Sequence, residues 1–140
     1  MRPIFRLPPG SPLAAAVSED WGLIPLRVPA GWNVIYNGVS ARRLSDGRIE
    51  ANDSEDLYWA RTAPPPWRTA GEVAAMNGLE TREINMDAGW YGGQGFRVVV
   101  LDPGWEQIRA SHTTPDLHEF IATLEAWMSL ITERGKLPES

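Results

Sequence analysis

Two apolar runs facing each other across a glycine-rich turn leave this chain few ways to fold. Ile84, Met86, Ala88 and Trp90 recur at every second residue, the period that lines up one face of a strand. Gly92-Gly93-Gln94-Gly95 reverses the chain, because glycine adopts tight-turn backbone without a steric cost. The return run, Phe96 to Leu101, is nearly all apolar and rich in branched side chains, which predicts a central strand. Asp102-Pro103-Gly104 has the composition of a type I or II turn, and Trp105 to Ala110 reads as the next antiparallel strand.

A helix closes the pattern. Thr114 is the expected N-cap, Pro115 the first helical residue, and Asp116 complements the helix dipole. Leu117, Phe120, Ile121, Leu124, Trp127, Met128 and Ile131 follow the i, i+3, i+4, i+7 spacing of a wide apolar stripe. Gly135 ends the helix, with Arg134 and Lys136 near its negative pole. One stripe implies one sheet beneath it. The fold class is therefore α+β: a mainly antiparallel sheet with a C-terminal amphipathic helix packed on one face.

Upstream, the signals are shorter. Ser11 and Pro12 predict a brief helix through Val17. Leu23 to Val28 reads as an edge strand, since Pro25 cannot donate to a ladder. Trp32 to Asn37 alternates, with Trp32, Val34 and Tyr36 expected on one apolar face. Asn37-Gly38 marks a turn, and Asp46-Gly47 predicts a hairpin between polar flanks. Asp56 to Arg61 is a further strand, with Leu57 and Trp59 on one side, and Pro64-Pro65-Pro66 ends it. Trp67 to Gly78 reads as either a short helix capped by Thr69 or a loop. The 140 residues fit one domain, with 1–20 loosely attached and 21–134 as the α+β core.

Composition narrows the function classes. With no cysteine, disulfides and thiolate metal sites are excluded. A net charge of −5 argues against direct nucleic-acid binding and suits a basic protein partner. No apolar run approaches the roughly 20 residues of a membrane span. Arg2, Arg6 and Ala14-Ala15-Ala16 imitate a secretory leader, but Pro8, Pro9, Gly10 and Pro12 interrupt its apolar stretch. A cytoplasmic location is expected. Most of the seven tryptophans are expected in the core, with one or two free to anchor a partner.

No catalytic constellation stands out. His112 and His118 lack the spacing of a metal site, and no G-x-S-x-G elbow is present. No metal, cofactor or catalytic residue is expected. Asp87 lies among apolar residues, where a buried carboxylate would act as acid or base. Strict alternation turns it instead to the opposite face, toward turn amides. A small acid/base enzyme using Asp87 and His112 is the alternative function, and it needs the two within about 8 Å. A structural or adaptor module is a third reading. Asp46, Glu50, Asp53, Glu55 and Asp56 form an acidic run answered only by Arg48, next to Trp59 and Trp67. Acid beside aromatic is how a surface steers and then grips a basic partner. Glu50, Asp53, Glu55, Asp56, Trp59 and Trp67 are the expected contact residues.

The order of motifs resembles a family. It comprises P-x-G-W-x-V-x-x-N at Pro29 to Asn37, E-D-L at Glu55 to Leu57, and D-x-G-W-Y at Asp87 to Tyr91. An apolar strand, a strand led by Trp105, and a helix ending in Glu125-Ala126-Trp127-Met128 follow. Over residues 22–131 this resembles the small immunity proteins encoded beside bacterial polymorphic or contact-dependent toxins. The turn after Tyr91 is shorter than in that pattern, and Pro64 to Gly78 is an insertion. The resemblance implies a protein that neutralises a cognate toxin domain, often a nuclease, by occluding a basic active site without a reaction of its own.

Overall fold

The computed structural model describes residues 2–8, 10–62, 69–75, 78–79 and 82–139. Its strands are β1 (Ile4–Phe5), β2 (Gly22–Leu23), β3 (Trp32–Asn37), β4 (Ser40–Arg43), β5 (Ile49–Ala51), β6 (Tyr58–Thr62), β7 (Asn85–Tyr91), β8 (Gly95–Leu101) and β9 (Ile108–Thr114). Its helices are α1 (Pro12–Ala16), α2 (Ala70–Ala75) and α3 (Leu117–Arg134). The class is α+β, as the pattern predicts. The strands form two antiparallel sheets rather than one, in the orders β1-β5-β4-β2 and β3-β6-β7-β8-β9.

The second sheet exists because the Asp46-Gly47 hairpin recruits the N-terminal segment. Ile4 pairs with Glu50 and Phe5 with Ile49, while the Ala51 amide donates to the Pro3 carbonyl at 3.0 Å. Leu13 and Val17 of the α1 region are buried. The start of the chain is thus docked, not loosely attached. Strand β2 (Gly22–Leu23) takes in only Leu23 of the expected Leu23–Val28 stretch. Pro25 has no amide to continue the ladder.

One aromatic stack joins the layers. Phe96 on β8 lies 4.4 Å from Phe120 of α3, with ring planes 7° apart. Phe5 of the smaller sheet stacks on the same Phe96 at 5.7 Å, and Trp90 meets its edge at 4.8 Å. Leu117, Phe120, Ile121, Leu124, Met128 and Ile131 are buried along the α3 stripe. They cover the face of the larger sheet carrying Tyr58, Ala60, Met86, Ala88, Val98 and Val100. Burial pushes the Tyr58 hydroxyl up to about 12. Trp32 is the only described tryptophan in the buried core, its indole N–H donating to the Met128 carbonyl at 3.0 Å. Trp67 lies outside the described residues.

Helix α3 starts two residues later than the composition suggests. Asp116 is the N-cap, accepting from the Glu119 amide at 2.9 Å. Thr114 remains in β9, where its hydroxyl accepts from the Asp116 amide at 3.1 Å and donates to Glu119 at 2.6 Å. Gly135 closes the helix in the left-handed region, at φ 61°. No helix among the described residues is long and apolar enough to cross a membrane.

Candidate functional site

The larger sheet has a second face, away from α3, and chemistry collects there. Pairing aligns Trp59 with Asp87, Asp87 with Val99, and Val99 with Ser111 across β6 to β9. These residues alternate with the core residues of the same strands, so they point outward. Val99 and Leu101 are nevertheless buried, so β8 is covered on both faces, as its composition predicts.

A register shift adds Tyr36 to this face. Val34 pairs with Ala60, but Tyr36 pairs with Trp59, so Ile35 is the extra residue of a bulge. The expected alignment of Tyr36 with Trp32 is thereby broken. Tyr36 and Trp59 stand side by side, 48% and 40% exposed. Leu57 is not on the Trp59 side: it packs into the core just before β6 begins.

The segment before β6 crosses the outer face at Gly89. The Trp90 amide donates to the Ser54 carbonyl at 2.8 Å, and the Leu57 amide to the Ala88 carbonyl at 2.9 Å. A Cβ on Gly89 would lie 1.8 Å from the Glu55 carbonyl oxygen. Only a glycine leaves room for this crossing. Glu55 and Asp56 are thereby brought to the same surface as Asp87. Tyr36, Ser54, Asp56, Tyr58, Trp59 and Asp87 line one open depression.

On the far side of Trp59 is a second depression, walled by Trp105. Trp105 belongs to the 102–107 loop and not to β9, which starts at Ile108. The three-residue turn predicted there is a longer loop, closed by the Asp102 amide donating to the Gln107 carbonyl at 3.0 Å. Asp102 is buried and ion-paired with Arg82, which anchors the loop base. Buried Asn85 ties both walls together. Its side-chain oxygen accepts from the Trp59 indole N–H at 2.8 Å, and its amide nitrogen donates to the Pro103 carbonyl at 2.7 Å.

The expected contact residues are not all gathered. Trp59 and Asp56 share a depression, Glu55 is exposed beside them, and Asp53 is half-buried. Glu50 belongs to the other sheet, where Arg42 holds its carboxylate at 2.6 Å. Asp46 is answered by Arg48 at 2.7 Å, and hydrogen bonds from the Arg48 amide and side chain lower its pKa. Tyr36, Asn85, Asp87 and Trp105 join the site instead.

Asp87 has no hydrogen-bond or ion-pair partner among the described residues, so the expected bonds to turn amides are not made. Burial, and then the neighbouring Asp56, raise its carboxyl to about 6, partly offset by Arg97. Burial also raises the Tyr91 hydroxyl, and Asp87 adds to the effect. His112 is elsewhere. It lies within β9, and it pairs with inward-facing Val98. Its Nε2 is 3.2 Å from Glu119, and its ring packs edge-on near Trp127. Asp87 and His112 occupy opposite faces, two strand spacings or roughly 10 Å apart in the sheet alone. They share no cleft. No group of three His, Asp or Glu side chains among the described residues is placed to hold a metal.

No family model, curated protein or solved structure matches this chain. The site therefore rests on its own geometry, which yields a first expected result. Asp87 ionises at about 6 in the folded chain and at 3.8 ordinarily. The native state holds this proton more tightly, so the contribution of Asp87 to stability falls as pH rises from about 4 to about 6, and is level above. A rise of that size corresponds to at most about 3 kcal/mol, which solvent at this half-buried position reduces to about 1–2 kcal/mol. Asp87→Asn is expected to stabilise the protein by about that amount at pH 7.5, with the gain fading toward pH 4. Urea unfolding at the two pH values measures it, and equal effects at both would remove the electrostatic explanation.

Proposed function

We propose that this protein is an immunity protein: a cytoplasmic binding module that neutralises a basic toxin domain, such as a nuclease, by covering it with the outer face of the β3–β9 sheet. The observation that carries this reading is an unpaired, partly desolvated Asp87 beside exposed Trp59 and Tyr36. Such a carboxylate destabilises the free protein, and a cation brought by a partner relieves it. Trp59 next to the carboxylate, with Tyr36 beyond it on β3, supplies the apolar grip that excludes water around that pair. Asp56, Glu55 and Glu106 extend the negative field and favour rapid encounter with a basic surface. Occlusion needs no reaction centre, and the separation of Asp87 from His112 accords with that.

The test is co-expression with the C-terminal domain of a toxin encoded beside this gene. The expected result is a complex that co-purifies, protects the cells, and forms more slowly as salt is raised. A toxin domain that stays active and elutes alone, with this protein folded, would refute the proposal.

A further inference from the structure

We infer that the depression between Trp59 and Trp105 is a socket for a single arginine side chain of a protein partner. This rests on the binding role proposed above and names the chemistry of one contact. The two indoles form walls of one depression whose other polar lining is Glu83, Asp87, Glu106 and Asn85. Arg61 also reaches it, but Glu83 holds Arg61 at 3.6 Å at one rim. Asp87 and Glu106 make no ion pair among the described residues. Two aromatic walls and two carboxylates without an ion pair specify a flat organic cation. A guanidinium fits better than an ammonium. It stacks on indole faces, sheds water more readily, and presents a fork of donors to carboxylates.

The socket is set before anything enters it. Asn85 fixes Trp59 from below and grips the Pro103 carbonyl of the loop that carries Trp105. Ligand entry then loses little side-chain freedom at the walls. Asn85 is a positioning residue here.

The experiment titrates the full chain with acetyl-Gly-Arg-Gly-amide and with its citrulline counterpart, which keeps the shape and lacks the charge. Nuclear magnetic resonance of the tryptophan indole N–H groups reads the response. Saturable shifts of the Trp59 and Trp105 signals are expected with the arginine peptide, and affinity about tenfold weaker or less with citrulline. Trp105→Ala, at a position 53% exposed, is expected to weaken the arginine peptide about tenfold with the remaining spectrum unchanged. Equal responses to the two peptides, or no saturable shift at these indoles, would overturn the inference. The proposed function is judged separately. A toxin domain that binds Trp105→Ala as well as the parent protein removes the socket and leaves the immunity reading standing. An arginine peptide that binds while the toxin domain does not leaves the socket and removes that reading.

Discussion

Gly89→Ala is expected to destabilise the fold by about 3 kcal/mol or more and to weaken partner binding with it. The new Cβ would lie 1.8 Å from the Glu55 carbonyl oxygen and 2.6 Å from its carbon. Both atoms are backbone, so no rotamer change relieves the contact. The two chains must part, which strains the Trp90–Ser54 and Leu57–Ala88 hydrogen bonds on either side of the clash. Losing well-formed backbone bonds adds about 1 kcal/mol each to the overpacking cost. Glu55 and Asp56 move with the displaced segment, away from Asp87. Gly92→Ala is the control, because nothing lies within 4 Å of its Cβ and its effect should stay within about 0.5 kcal/mol. Urea unfolding of the two variants measures the difference, and a mild Gly89→Ala would show that the crossing gives way easily.

Trp59→Ala is expected to weaken the proposed complex with a toxin domain about a hundredfold or more, mostly through faster dissociation. Trp59 separates the two depressions and contributes to both linings. It is the residue whose removal merges them and opens the Asp87 carboxylate to water, which weakens any ion pair formed there. The folded state should lose only about 1 kcal/mol, since the side chain is 40% exposed and its loss leaves the Asn85 oxygen without its donor. Calorimetric titration of the toxin domain with Trp59→Ala and Trp59→Phe separates the grip of the ring from its size. If the alanine variant binds like the parent, the contact lies on another surface.

Long periodic segments were legible from the sequence. The β7–β8 hairpin and the α3 stripe follow from residue spacing, because each buries one face along its whole length. The smaller sheet is legible only at its centre, the hairpin around Asp46-Gly47. Strands β1 and β2 each have two residues, too few to show a period. The site was legible only in part. Acid beside Trp59 points to Asp56 and Glu55, but the register of the predicted hairpin sets Arg42 against Glu50, a detail that composition does not fix. Alternation alone puts Tyr36 on the wrong face, because one bulged residue reverses every later side chain. Trp105 reads as strand because the 102–107 loop closes through backbone bonds, which leave no mark on residue type. Gly89 did carry a signal. A glycine inside a strand marks a place where another backbone comes close.

The pleat of β6 and β7 has an evolutionary consequence. Tyr58, Ala60, Met86 and Ala88 answer to the helix, whereas Trp59 and Asp87, interleaved with them, answer to whatever lies outside. Neighbours in the chain are thus under unrelated constraints. Outward positions such as Trp59 and Asp87 can change without disturbing the helix-facing layer, whereas Asn85 and Gly89, outward on the same strand β7, are held by the scaffold itself.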